Sequence, residues 1–534
     1  MRIPFFSTTP KAEEPKVVEA PKATVPPSSP NRARTLVLCF DGTGDQEDDD
    51  NTNVVELRKL LKIENEEEQC IYYQTGIGTY RQKLPGVKEP VKIPIVAGIS
   101  QKLDQATAWS LGEHVSVAYY WLVEHYRPGD KICMFGFSRG SYTARALAGM
   151  LFKVGLLPNE HIDQVQAAYK SYENSKDLEA WQASEAFHDT WGCRDVPIEF
   201  VGCWDTVNSV GTFTTKGLPF TAFNPLVKNF RHAIAMDERR AKFRTNLWSP
   251  SDQAIPGSPN FAMNDLQKFI HDMVTRKSVG LPATSVDEVW FAGCHCDVGG
   301  GSVKNETKPN LAHIPLRWMI RQCFLANTGM MFYKDDMKKK FHLDPDTLYP
   351  VVKKRPQAIA PKVNKVMAPK RQGPIDTAKS WGSWAWSYVP FIGGKKPEKE
   401  EEITINPDAN EEEADAIDAL APIYDMLEIK PQMWLPFEKI GRLTPTWDPK
   451  LGKHAPKTYN KLPRNMRGPI SIDQVKKVIV KAQVKVHRSV LARMNAQMPD
   501  GSFYVPKAVF SATKKPLTMD TPFTGEGAQF TWVD

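Results

Sequence analysis

Four short apolar runs set what this chain can become: TLVLCF (35–40), KICMFGF (131–137), IEFVGCW (198–204) and EVWFAG (288–293). Each is six or seven residues long, rich in Val, Ile, Phe and Cys, and leads into a Gly, Asp or Ser turn. Runs of this kind, without polar alternation, are the pattern of strands covered on both faces. A helical segment, 104–126, lies between the first two and is stopped by Pro128-Gly129. Buried strands alternating with helices predict an α/β fold with a mainly parallel sheet flanked by helices. The pattern begins at Thr35 and runs to about residue 330.

Outside that stretch the texture differs. Residues 1–34 carry seven prolines among Lys, Glu, Ser and Thr, too little apolar surface to offset the entropy of ordering, so a disordered tail is expected. The catalytic unit is expected over 35–335. Residues 336–414 read as a variable insertion or linker. They include a Trp-rich segment, 380–394, and two charge blocks, KKPEKEEE and NEEEADAID, expected to be linker or solvated surface. Residues 415–534 are expected to add helical elements packed on the catalytic unit, with 415–441 and 471–495 reading as helices. Apolar residues at 41% supply enough core for this plan. The excess of 69 Lys and Arg over 62 Asp and Glu is too small to point to nucleic acid.

Eight cysteines lie mostly in apolar runs, where a thiol is a small hydrophobe, which suits a reducing, intracellular and cytoplasmic setting. Neither a secretory h-region nor an apolar stretch of roughly 18 residues is seen. The expected association with membranes is therefore peripheral at most.

Gly136-Phe137-Ser138-Arg139-Gly140 is a G-x-S-x-G pattern. The five residues alone are weak evidence. A buried-type strand precedes them, however, and a helix follows, with Ala144, Leu147, Ala148 and Leu151 at apolar spacing and Gly155 as its stop. This is the setting of a nucleophile elbow in an α/β-hydrolase-like fold; the plainer reading is Ser138 as a helix N-cap. Asp205 follows the strand IEFVGCW and suits the orienting carboxylate of a triad, or else caps the next turn. His295 follows EVWFAG on the glycine-rich loop GCHCDVGGG and suits the general base. The order Ser138, Asp205, His295 is that of α/β-hydrolases. His487, His232 and His313 compete for the base role, His487 most seriously.

An oxyanion hole needs two backbone N–H groups. Arg139 would supply one, and the Gly42–Thr43 loop the other. Asp41 and Asp297 are expected to support these loops. Asp41-Gly42-Thr43 also invites a phosphatase reading through D-x-D-G-T, but Cys39 stands where the nucleophilic aspartate belongs. Cys294-His295-Cys296 cannot wrap one tetrahedral zinc from adjacent positions, and Gly299-Gly300-Gly301-Ser302 lacks the order of a P-loop. No metal and no cofactor are expected.

LVLCFDGTGD, GFSRGSYTARALAGML, FVGCWDTVNSVG and VWFAGCHCDVGGG, in that order, resemble the DUF2235 family, which includes the catalytic domain of bacterial type VI secretion phospholipase effectors. The likeness covers roughly residues 34–330, and PNLAHIPLRWM (309–319) extends it. The Pro/Lys-rich tail and the insertion look more like the fungal-type members. The resemblance implies an α/β-hydrolase-type core with a Ser–Asp–His triad at Ser138, Asp205 and His295, and, in the effectors, hydrolysis of phospholipid acyl esters. Two departures flank the site: Gly44-Asp45, where the family often has Trp-Asn, and Cys296, where a serine is common.

The expectation is a serine hydrolase of carboxylic esters, with lipid or phospholipid acyl esters as substrate. The alternative is a catalytically idle scaffold that binds a membrane or a protein. Phe213 and Phe220, with Phe223 and Phe230, read as acyl-pocket or lid residues, or as core. Trp381, Trp384 and Trp386, next to Lys395 and Lys396, suit a membrane surface or docking onto the core.

Overall fold

The computed structural model describes residues 22–42, 47–76, 99–207, 217–249, 264–358 and 365–367 and, with short interruptions, 405–534. Eight strands form one sheet: β1 (Thr35–Phe40), β2 (Gln69–Gln74), β3 (Lys131–Phe137), β4 (Ile198–Trp204), β5 (Val227–Ala235), β6 (Ser285–Phe291), β7 (Val484–His487) and β8 (Phe530–Val533). Their order across the sheet is β2-β1-β3-β4-β5-β6-β7-β8, and every ladder is parallel.

Because side chains alternate across a strand, each apolar run serves two cores. In β1, Leu36, Leu38 and Phe40 pack on one side with α2 (Ile99–His125) and α3 (Arg139–Lys153). Val37 and Cys39 face the other side with α1 (Asn53–Leu60) and, further along the chain, the helix His313–Leu325. β3 divides in the same way, Ile132 and Met134 against Cys133, Phe135 and Phe137. From β1 the chain turns one way to β2 and the other way to β3. Open α/β sheets place their ligands outside the carboxyl ends of the strands at such a switch point.

Several expectations are corrected. The tail expected through residue 34 is ordered earlier. Thr24–Val25 pairs with Phe332–Tyr333, and the buried Arg34 holds Asp130 at 2.6 Å. The catalytic unit does not end at 335, because β7 and β8 come from beyond it. The segment 471–495, expected to be helical, carries among its described residues the strands Ile470–Asp473, Val478–Lys481 and Val484–His487 and then one short helix, Ser489–Met494. Val484 and Val486 are buried with Lys485 between them, the period of two that a strand requires.

The acidic block is not solvated surface. It forms the helix Glu411–Asp418, whose Glu411, Glu412, Asp415 and Asp418 are buried. Arg317 reaches Asp415 at 2.7 Å and Asp418 at 2.6 Å, Arg355 reaches Asp415 at 2.8 Å and Glu412 at 2.9 Å, and Arg321 pairs with Glu411. The arginines that neutralise the block come from outside it, which a local charge count cannot see.

Candidate active site

The strand β3 runs into α3 through Ser138, which takes φ 57° and ψ −121°. A non-glycine residue there is strained, and its surroundings hold it in place. The Ser138 N–H donates to the Trp204 carbonyl of β4 at 3.0 Å. The two flanking glycines are steric requirements. A Cβ at Gly140 would lie 2.2 Å from the Phe40 oxygen, and one at Gly136 would lie 2.5 Å from the Gly140 carbonyl carbon. α3 can therefore press against the end of β1, and the Ser138 hydroxyl stands at the carboxyl edge of the sheet.

Asp205 ends β4 with φ 42°. Its N–H donates to the Ala233 carbonyl at 2.8 Å, and its Oδ1 accepts the Ala235 N–H at 2.9 Å, so the neighbouring β5 fixes both backbone and carboxylate. His295 follows β6 and opens the short helix His295–Gly299. Gly293 at φ 112° makes the entry turn. The Asp297 carboxylate accepts the Cys294 N–H at 2.9 Å, the Tyr424 N–H at 3.0 Å and the Ser302 hydroxyl at 2.8 Å.

The three side chains meet. His295 Nδ1 lies 2.6 Å from Asp205 Oδ2, and Nε2 lies 2.8 Å from Ser138 Oγ. An ionised carboxylate only accepts, so Nδ1 carries the proton and Nε2 presents its lone pair to the serine hydroxyl. The ring is wedged between Phe137, 4.6 Å away, and the edge of Phe243, 4.8 Å away. Burial outweighs the Asp205 partner and holds the His295 pKa below its ordinary value, so the imidazole is neutral and able to accept a proton at neutral pH. Burial pushes the Asp205 carboxyl up, but Arg464 and His295 outweigh it and hold it well below the usual carboxylate range.

Arg464, absent from the sequence reading, is buried at 2% exposure. It grips Asp205 with both terminal nitrogens, Nη2 at 2.9 Å from Oδ2, and also donates to the Ala235 and Phe243 carbonyls. Nothing in the local sequence marks it. A second omission was legible: the run Asp237-Glu238-Arg239-Arg240 directly follows the apolar end of β5. Glu238 accepts the His295 N–H at 3.4 Å and pairs with Arg240 at 2.8 Å. The Arg240 guanidinium lies 3.5 Å from the Phe243 ring centre and 4.5 Å from that of Trp434.

The remaining expected residues fall out as follows. Asp41 accepts the Gly42 N–H at 2.9 Å, the Thr52 hydroxyl at 2.6 Å and the Tyr73 hydroxyl at 2.7 Å, and burial pushes its carboxyl up to about 6. The Gly42 N–H is thus committed to Asp41 and not to an oxyanion, a correction to its expected role. Thr43, Phe213, Trp381, Trp384 and Trp386 lie outside the described residues. Arg139 opens α3, where backbone N–H groups point out of the helix. Phe220 is core: it packs on Phe152 at 4.3 Å and Trp181 at 5.7 Å. Phe230 belongs to β5 and packs on Trp248 at 4.6 Å.

The competing histidines are placed elsewhere. His487 is fully buried in β7, stacks on Phe291 at 4.8 Å and meets Ser489 Oγ at 2.8 Å. His232 sits between Glu288 and the Thr206 N–H. His313 lies 3.8 Å from Asp418. Among the described residues no group of His, Cys, Asp and Glu could hold a metal ion, and no helix is long and apolar enough to cross a membrane.

Comparison with known proteins places this site in context. An uncharacterized protein of Saccharomyces cerevisiae is 37% identical over 396 residues, which is 56% of this chain and 58% of the yeast protein. The chain thus matches little more than half the length of that curated relative. Two solved structures share 18% identity: an uncharacterized protein from Pseudomonas aeruginosa, with a TM-score of 0.30 over 56% of this chain and 46% of that one, and the Tle1 effector bound to the VgrG spike from the type VI secretion system, with a TM-score of 0.25 over 57% of each. Residues 34–322, more than half of the sequence and the stretch that carries Ser138, Asp205 and His295, match the catalytic domain of Tle1-like phospholipase effectors of the type VI secretion system, and the chain belongs to that family.

Proposed function

We propose that this protein is a serine hydrolase of carboxylic esters, with phospholipid acyl esters as its substrate class. The observation that carries the reading is the continuous relay from Ser138 Oγ through the His295 ring to Asp205, with both contacts at hydrogen-bond length. In this reading Ser138 Oγ attacks the ester carbonyl while His295 Nε2 takes its proton. Asp205, held ionised by Arg464, stabilises the imidazolium. His295 then passes the proton to the leaving lysolipid alkoxide. Water, deprotonated by the same ring, hydrolyses the acyl-enzyme and releases a fatty acid.

The Arg139 N–H, at the positive end of α3, is the proposed oxyanion donor; one such donor is worth roughly 10²–10³ in rate. Phospholipid substrate requires access to a bilayer. On composition alone, the segment containing Trp381, Trp384 and Trp386 is the proposed contact.

The test is turnover of defined phospholipid vesicles by the purified chain, read by mass spectrometry. The expected products are lysophospholipid and free fatty acid, with Ser138→Ala lowering kcat by on the order of 10⁶. Diacylglycerol as the product, or turnover undiminished in Ser138→Ala, would overturn the reading.

A further inference from the structure

Arg464 does more than hold Asp205. With Arg244 and Arg467 it lines a partly open cavity of about 340 Å³ that also takes in Thr245, Asn246 and Ser249. Ser138, Asp205 and His295 are not among its lining residues. It touches the site through Arg464, which grips Asp205, and through Thr245, bridged to Val207, whose N–H donates to the Ser138 carbonyl at 3.4 Å.

Three features define what it takes. Its described walls carry three guanidinium side chains and no carboxylate, so their charge disfavours a cation and favours an anion. Arg467 is half-buried, and its hydrogen bonds go to the Trp248 and Gly468 carbonyls at 3.3 and 3.4 Å; among the described residues it has no ion pair. The Glu288 carboxylate acts on it from a distance but makes no ion pair with it, and an anion placed directly beside the guanidinium would offset more of its desolvation penalty. Finally, Arg464 Nε, Asn246 Nδ2 and Thr245 Oγ1 are buried atoms without hydrogen-bond partners among the described residues, and Arg464 is only 2% exposed.

Guanidinium and amide nitrogens only donate, and a hydroxyl can do so as well. Such a wall asks for a ligand made of acceptors. The planar guanidinium fork matches two oxygens of a phosphate. The volume falls within the roughly 300–1,000 Å³ of small-molecule sites, larger than a bare ion needs. We propose that this cavity binds the phosphate group of a small phosphorylated ligand, at a site distinct from that of ester hydrolysis. The phosphate is supplied either by a lipid headgroup or by a soluble phosphate ester.

The experiment reads binding, and its vesicle arm uses Ser138→Ala so that the lipid is not consumed; it stands whether or not the hydrolase reading does. The full chain is titrated calorimetrically with inorganic phosphate and with glycerol 3-phosphate. In parallel it is sedimented with phosphatidylcholine vesicles that contain or lack phosphatidic acid. Saturable binding in either arm is the expected result, and the arm that responds names the source. Arg467→Gln is expected to weaken binding about tenfold, the worth of one charge-assisted contact. Asn246→Ala, which keeps the backbone bond to Thr206, is expected to weaken it several-fold and serves if the arginine variant does not fold. Absence of binding in both arms, or binding unchanged in a folded Arg467→Gln or in Asn246→Ala, would overturn the proposal.

Discussion

Ser138 occupies a backbone conformation that serine reaches only under constraint, and the constraint comes from residues that carry no chemistry. Gly136 and Gly140 let α3 sit on the end of β1, and the Trp204 carbonyl ties down the Ser138 N–H. Arg464 has a different role at this scale. Its charge keeps Asp205 ionised and offsets part of the field that Asp205 exerts on His295. The other charged groups facing that ring are Glu238, beside its N–H, and Arg240, which pairs with Glu238. Replacing Arg464 by Gln removes a positive charge next to the carboxylate, so the His295 imidazolium becomes more favourable and its pKa rises. The acid limb of kcat/KM is expected to move to higher pH and kcat to fall. A pH profile superimposable on that of the wild type would exclude Arg464 as a positioning residue. The sequence made Ser138, Asp205 and His295 legible because each directly follows an apolar strand, so its neighbours announce its place. Arg464 lies 259 positions from its partner in a stretch without such a marker, and only the folded chain connects them.

At the scale of elements, β1, β3 and β4 were readable to the residue because both faces of each are apolar. β5 was not. Its Asn229, Arg231 and His232 are polar, yet they lie in the sheet because neighbours satisfy them: Asn229 by the Glu199 carbonyl, Arg231 by Gln322 and the Ser285 carbonyl, His232 by Glu288. A hydropathy pattern counts these residues as loop. The helix Glu411–Asp418 misled for the same reason, since its carboxylates are buried against Arg317, Arg321 and Arg355. Removing one member of such a buried set strands its partners, so Asp415→Ala is expected to destabilise the protein by about 3–5 kcal/mol, measured as a shift in the urea midpoint. Burial raises the Asp415 pKa, but Arg317 and Arg355 outweigh it, and the carboxyl ends well below its ordinary value. Its contribution is therefore fully present above the unfolded pKa of about 3.9 and is lost as pH falls below it. The wild type is expected to lose stability over that acid range more steeply than Asp415→Ala. Parallel pH dependence in the two would show that the carboxylate is not held by charge.

For the whole molecule, the sheet is assembled from both ends of the chain. The motifs lie in residues 34–322, but β7, β8 and Arg464 come from the last 71 residues, so the family segment is not a self-sufficient body. A chain shortened to residues 1–335 would bare the edge of β6, with Val289, Trp290 and Phe291 on it, and leave Asp205 without its guanidinium. An uncovered apolar edge is a template for aggregation. The shortened chain is expected to be insoluble, or, if soluble, inactive. A soluble, active 1–335 chain would contradict the account of the C-terminal region.

The central claim is that Ser138 is an activated nucleophile. Its most direct test is intact-protein and peptide mass spectrometry after exposure to a fluorophosphonate. The account predicts one phosphonyl adduct on the peptide containing Ser138, lost in Ser138→Ala and strongly slowed in His295→Ala. An unmodified Ser138, or labelling that persists in Ser138→Ala at another residue, would contradict it.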